Sequence, residues 1–273
     1  DEYISCKKKL FDNLFDDAFA IINYDDKHGE IMGANTRAEV ISFGLKGNTN
    51  ISSKVLENDI SGLTLEINGH EMTSRLVGRF NAYNLLVAFA VGKYLGQDEL
   101  SLLTILSSVK APQGRFEYFL SDHKITAVID YAHTPDALEN VLKTLLDLKK
   151  GTEKLITVFG CGGNRDKGKR PLMGEIASRL SDQVLITSDN PRNEDPDSII
   201  NEIYHGVPSV LKEKVFTVTD RMEAIEMACN IASAGDVILI AGKGHENYQI
   251  IGNESLHFDD MENTIHIFKK LKK

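Results

Sequence analysis

From Gly114 onward the sequence repeats one unit, in which a short apolar run leads into a polar loop and then into an amphipathic stretch. Candidate strands fall at 125–130, 155–159, 184–187, 215–218 and 237–241, and each gap between them holds one candidate helix. A crossover long enough for a helix returns the chain parallel to the strand it left. Four in succession dictate an α/β fold with a doubly wound, mainly parallel sheet and helices on both faces. The first helix carries Thr134 as N-cap, Pro135 at its first position, and Leu138, Val141, Leu142 and Leu145 at helical spacing.

Residues 1 to about 112 lack that regularity and read as mixed α and β. A short helix with Leu10 and Leu14 precedes a strand at 18–23, and Asn68-Gly69 between two β-like runs signals a hairpin. The stretch 81–95, with Leu85, Leu86, Ala88, Phe89 and Val91, is apolar nearly all round and is expected to be a buried helix. A further helix at 99–109 ends before Ala111-Pro112. The boundary is placed there, giving domains 1–112 and 113–273. The C-terminal lysines 269, 270, 272 and 273 are expected to finish a surface helix, where cations suit the helix dipole.

With 273 residues the chain is long enough for two cores. Its 31 Lys and Arg against 40 Asp and Glu leave a net charge of −9, which opposes a broad cationic surface for nucleic acid. Acidic small molecules remain open wherever basic residues cluster. No run approaches the ~18 apolar residues of a membrane span, and no leader pattern opens the chain, so a soluble cytoplasmic protein is expected. Cys6, Cys161 and Cys229 show no CxxC or Cys/His spacing, which indicates neither a disulfide framework nor zinc. The chain opens at Asp1 directly in a helical pattern, which reads as a piece of something longer.

Ligands of an open parallel sheet bind beyond the carboxyl ends of its strands. The unusual sequences fall at those ends: Asp130-Tyr-Ala-His133-Thr-Pro135, Gly160 through Arg170, Ser188-Asp189-Asn190-Pro191-Arg192, and Gly242-Lys-Gly-His245-Glu246. Four such loops on one rim suggest a composite site for anionic ligands. The run Gly163 to Lys169 fits seven positions of a P-loop, but Arg170-Pro171 replaces the hydroxyl that would hold Mg²⁺. An anion nest using Arg165, Lys167 and backbone N–H groups is the better reading, and a solvated basic loop the bland one.

Pro191 limits where Arg192 can point, and the guanidinium fork favours bidentate contact with a carboxylate. A helix-start turn with Arg192 in a surface salt bridge is the alternative. Asp130 could bind a ribose hydroxyl, while His133 is equally a capping residue at a helix start. Glu246 could accept from a cationic amine, against a simple tight turn at the two glycines. Lys7, within Lys7-Lys8-Lys9, would ordinarily be a solvent-facing charge.

Taken in order, Tyr3-x3-Lys7-x2-Leu10-Phe11, Gly78-Arg-Phe-Asn81-x2-Asn84, Gly114-Arg115-Phe-Glu117, Asp130-Tyr-Ala-His133-Thr-Pro135-Asp136 and the three later loops resemble the Mur ligase family of peptidoglycan synthesis. Asp-Tyr-Ala-His also occurs in folylpolyglutamate synthetases, whereas its combination with Asp-Asn-Pro-Arg is far more specific. The resemblance implies the C-terminal part of a central ATPase domain at 1–112, followed by a Rossmann-like ligase domain. It also implies that the P-loop and the nucleotide-sugar domain lie outside this chain.

The resemblance further implies an enzyme that takes ATP and Mg²⁺ and adds meso-2,6-diaminopimelate to UDP-N-acetylmuramoyl-L-alanyl-D-glutamate. The glutamyl carboxylate becomes an acyl phosphate, and the amine of the incoming amino acid attacks it in a site closed to water. By the same resemblance Lys7 is the family's carbamylated lysine, able to hold Mg²⁺, and Asn81 and Asn84 face adenine. Arg115, Asp130 and His133 lie around the ATP ribose and phosphates, with Lys7 and His133 the catalytic pair. Arg165, Asp189, Asn190, Pro191, Arg192, Gly242 and Glu246 form the diaminopimelate pocket. A monomer is expected, without nucleic acid or membrane, and this chain alone is expected to be inactive.

Two other enzyme readings are a lysine-adding ligase and a folylpolyglutamate-synthetase-like ligase. A third reading is a non-catalytic amino-acid-binding module. A nicotinamide dehydrogenase is disfavoured, because no GxGxxG opens the first crossover of the regular domain.

Overall fold

The computed structural model describes residues 2–149 and 151–273. The chain divides between Lys110 and Ala111 into two compact units.

The first unit runs α1 (Glu2–Asp12), β1 (Phe19–Asn23), α2 (Gly29–Gly33), β2 (Glu39–Gly44), β3 (Ile51–Asp59), β4 (Gly62–Ile67), β5 (His70–Ser74), α3 (Arg79–Tyr94) and α4 (Glu99–Ser107). Its sheet has the order β1-β2-β3-β4-β5, parallel from β1 to β3 and antiparallel from β3 to β5. The β4–β5 turn is the expected one, with Asn68 at φ 49° and Gly69 at φ 83°, the left-handed pair of a two-residue hairpin. Asp98 starts α4 by accepting from the Ser101 N–H.

Two expectations fail in this unit. Helix α1 ends at Asp12, so Leu14 lies beyond it. Helix α3 is buried on one side only: Leu85, Leu86 and Phe89 are buried, while Ala88 and Val91, and Leu95 just past its end, are exposed. Composition reports how apolar a helix is, and only the number of elements around it decides how many faces are covered.

The second unit runs β6 (Glu117–Leu120), β7 (Thr126–Asp130), α5 (Pro135–Leu148), β8 (Leu155–Phe159), α6 (Lys169–Leu180), β9 (Gln183–Ile186), α7 (Pro196–His205), a 3-10 turn (Ser209–Lys214), β10 (Val215–Thr217), α8 (Arg221–Ile231), β11 (Val237–Ala241), β12 (Tyr248–Ile251), β13 (Glu254–His257) and α9 (Asp260–Leu271). Its main sheet has the order β10-β9-β8-β11-β7-β6, and all its pairs are parallel except β6 with β7. Helices α5, α6 and α7 pack side by side, and α8 and α9 form a separate pair. One face of the sheet supplies Ile129, Ile156, Val158, Leu185 and Ile240 to a core closed by Ile225 and Ala228 of α8 and Phe268 of α9.

This is the doubly wound arrangement that the alternation demands. The alternation does not reveal β6 or the separate hairpin β12–β13. Every residue of β13 is exposed, so it carries no apolar alternation, although Gly252-Asn253 between the two strands is a turn signal. At the C-terminus Lys270 pairs with Glu226 at 2.7 Å, and Lys273 Nζ reaches the carbonyls of Cys229, Asn230 and Ala232 at 2.7–2.9 Å. Lys273 thus meets the end of α8, where the dipole favours a cation.

Candidate functional site

The loops that follow β7, β8, β9 and β11 open on one cavity of about 400 Å³. Its wall includes His133, Gly162, Arg165, Asp189, Asn190, Arg192, Gly242 and Glu246. The expected pocket residues therefore come together, with Pro191 alone not lining it. That proline is buried, and its carbonyl accepts from the Glu194 N–H at 3.1 Å.

Backbone constraints fix the aim of Arg192. Its φ is +53°, its N–H donates to Ile250 O at 3.0 Å, and its carbonyl accepts from Gly252 N–H at 2.7 Å. The β12–β13 hairpin thus pins the residue from behind. The Arg192 Nη1 donates to Gly163 O at 3.0 Å and Asn190 O at 3.4 Å, and among the described residues the guanidinium has no carboxylate partner. The alternative of a surface salt bridge is not formed.

Two buried charge systems brace the loops. Arg170, fully buried at the start of α6, grips Glu194 and Glu202 and donates to Gly162 O at 3.2 Å. Glu194 also accepts from Asn164 N–H and Lys167, and these partners, Arg170 foremost, hold its carboxyl at about 2. This corrects the expected anion nest. Lys167 lies 3.2 Å from Glu194 and does not line the cavity, so of the two cations expected in the nest only Arg165 does. The P-loop likeness fails structurally too, since Lys169 Nζ donates to His133 O at 2.7 Å.

The second system is Arg221 with Asp260, both fully buried and 2.7 Å apart. Arg221 also donates to Ser188 O and Ala241 O, the carbonyls just before the two loops that carry Asp189 and Gly242. Burial opposes its charge, but Asp260 more than compensates and holds its pKa up. From the sequence, Arg170 registers only as a break in the P-loop pattern, and Glu194, Arg221 and Lys243 do not register as site residues. Nothing in a single sequence separates a buried lysine or arginine from an exposed one.

Of the remaining expected residues His133 lines this cavity, and Asp130, Arg115, Asn81, Asn84 and Lys7 do not. Asp130 ends β7 with Oδ2 accepting from Phe116 N–H and Oδ1 from Ala132 N–H, each at 2.8 Å. It organises its own loop and does not line the cavity; burial pushes its pKa up. Arg115 lies over the Tyr131 ring, 4.6 Å from its centroid. His133 is exposed, with Nδ1 2.9 Å from Tyr131 O. In the first unit Asn81 donates to Val77 O at 2.8 Å and accepts from Asn84 at 3.0 Å. Lys7 lies over the Tyr3 ring and lines a cavity of about 350 Å³ with Asn23, Asp26 and His28.

The residues present do not fit Mg²⁺ by themselves. An unmodified Lys7 is a cation, and among the described residues no group of three or more His, Cys, Asp or Glu side chains is placed to hold a metal. The one loop resembling a P-loop commits Lys169 to a backbone carbonyl and so does not act as one, and Asn81 is satisfied internally. What the cavity can do chemically therefore rests on the chain's own side chains.

Comparison with known proteins gives two family matches: "Mur ligase middle domain" over residues 1–92 and "Mur ligase, glutamate ligase domain" over residues 114–244. The UDP-N-acetylmuramoyl-L-alanyl-D-glutamate--2,6-diaminopimelate ligase of Cytophaga hutchinsonii is 51% identical over 260 residues, covering 95% of this chain and 53% of that protein. The ligase of the same name from Bacteroides fragilis is 46% identical over 268 residues, covering 98% and 55%. A solved structure of a UDP-N-acetylmuramoyl-L-alanyl-D-glutamate--2,6-diaminopimelate ligase superposes with a TM-score of 0.68 at 35% identity, covering 99% of this chain and 57% of that one. The chain thus spans about half the length of the relatives it matches.

Proposed function

Because this chain belongs to the Mur ligase family, we propose that it is the amino-acid-receiving half of an ATP-dependent ligase. That enzyme adds meso-2,6-diaminopimelate to UDP-N-acetylmuramoyl-L-alanyl-D-glutamate in peptidoglycan precursor synthesis. One observation carries the substrate: Arg192 and Glu246, of opposite charge, line the same cavity. The distal end of diaminopimelate carries both a carboxylate and an ammonium. Arg192 takes the first and Glu246 the second, with Arg165 as a further cation on the wall.

Lysine has the ammonium but not the carboxylate. Binding it would leave Arg192 desolvated without an anionic partner, and a site built around such a contact rejects the analogue lacking it by as much as ~10⁴-fold. The pocket's task is orientation: with the distal end fixed, the α-amine is presented beyond the strand ends to an activated glutamyl carboxyl. Lys7 as a carbamate, His133, Asn81, Asn84, Arg115 and Asp130 belong to the nucleotide side of the same proposal. Asp130 serves that side by shaping its loop, given where its oxygens point. The enzyme works as a cytoplasmic monomer with no nucleic-acid partner. No helix among the described residues is long and apolar enough to cross a membrane.

Calorimetric titration of the chain with meso-diaminopimelate and with lysine tests the substrate. Diaminopimelate is expected to bind and lysine to bind far more weakly. Equal affinities would defeat the assignment.

A further inference from the structure

The acidic wall of the cavity is held by a side chain that never reaches it. Lys243 is fully buried, and its Nζ lies 2.7 Å from Tyr248 O, 3.1 Å from Asn190 Oδ1 and 3.2 Å from Asp189 Oδ1. Two of its donors hydrogen-bond Tyr248 O and Asn190 Oδ1, and the Asp189 carboxylate is its ion-pair partner. Burial pushes its pKa down, and the Asp189 carboxylate pulls the other way.

The Asn190 oxygen also accepts from the Ile250 backbone N–H at 2.9 Å. An ammonium and a backbone N–H only donate, so the end of the Asn190 amide that faces them has to be oxygen. The NH₂ end is thereby turned toward Glu246 and donates to its Oε2 at 2.8 Å. Were the amide reversed, its NH₂ would abut an ammonium, and its oxygen would abut a carboxylate. Lys243, together with the Ile250 N–H, therefore sets Asn190, and Asn190 sets Glu246. The Arg192 guanidinium is held separately, by the carbonyls of Gly163 and Asn190.

We propose that Lys243 is a positioning residue for recognition of the distal ammonium of the substrate, acting through Asn190 to fix the carboxylate of Glu246. It rests on reading the cavity as a diaminopimelate site and deepens that reading. It separates the two halves of specificity: the ammonium is read through Lys243, Asn190 and Glu246, and the carboxylate through Arg192.

The test uses three ligands titrated calorimetrically into the wild-type chain and into Lys243→Met and Lys243→Gln. Meso-diaminopimelate has both distal groups, 2-aminopimelate lacks the distal ammonium, and lysine lacks the distal carboxylate. The wild type is expected to prefer diaminopimelate over both. In Lys243→Met its preference over 2-aminopimelate falls by about tenfold or more, the loss of one oriented charged hydrogen bond. Its preference over lysine is retained. Lys243→Gln, which keeps a donor in reach of Asn190, shows the same selective loss to a smaller degree and carries the comparison should the Met variant not fold. Thermal unfolding establishes that each variant is folded. Folded variants that keep the wild-type ammonium preference, or that lose both preferences equally, overturn the proposal. A wild-type chain that prefers diaminopimelate over neither analogue would instead overturn the reading of the cavity, and this inference with it.

Discussion

Arg170 holds Glu194 with both terminal guanidinium nitrogens, Nη1 to Oε2 at 3.0 Å and Nη2 to Oε1 at 3.1 Å. The arginine starts α6, and the glutamate lies two residues beyond Arg192. With Gly162 O on the same Nη2, this bidentate grip locks the loops after β8 and β9 to each other. The cavity lies between those loops and is rigid on that side for this reason.

Glu194 gives the clamp an acid limit. Its carboxyl sits at about 2 in the fold against an ordinary 4.5, so the folded state holds the carboxylate more strongly than the unfolded chain does. The stability this supplies is present in full above pH 4.5 and is lost as the pH falls toward 2. Urea unfolding across that window is expected to show a falling stability for the wild type and a flatter profile for Glu194→Gln.

Breaking the buried pair beneath the loops is costly. Arg221→Met leaves Asp260 charged, fully buried and unpaired, which is expected to cost about 3–5 kcal/mol in chemical denaturation. Replacing both, Arg221→Met with Asp260→Leu, is expected to recover most of that loss. A double variant no more stable than the single one would show that the carbonyl contacts of Arg221, not its charge pairing, matter most.

A close backbone approach limits what residue 163 can be. A Cβ added at Gly163 would lie 1.9 Å from Pro191 O, a backbone atom that cannot swing away. Gly163→Ala is expected to destabilise the chain by about 1–3 kcal/mol and to weaken diaminopimelate binding, because the two loops must part. Gly168→Ala, whose nearest neighbour is the Asp166 side chain at 3.2 Å, is the benign comparison.

Arg192 controls discrimination in the proposed reaction. Arg192→Ala in the intact enzyme is expected to raise KM for diaminopimelate and to narrow the gap to lysine. Steady-state kinetics with both amino acids measure it, and unchanged discrimination would remove Arg192 from the recognition role.

Much of this architecture is legible from local chemistry. Alternating apolar runs and helix caps such as Thr134-Pro135 locate the parallel strands, and the geometry of an open parallel sheet then sends Asp189–Arg192 and Gly242–Glu246 to one rim. What stays hidden depends on contacts between residues far apart in the chain. Lys243 and Arg170 look like surface charges until β12 and Glu194 fold over them. Lys167 looks free until Glu194 reaches it. The apolar stripe of α3 looks buried all round until the count of its neighbours shows one side open.

A crystal structure of the chain with meso-diaminopimelate bound tests the central claim most directly. The distal carboxylate is expected against the Arg192 guanidinium and the distal ammonium against Glu246, within the cavity between the loops after β8, β9 and β11. Ligand bound outside that cavity, or inside it with those two contacts absent, would contradict that claim.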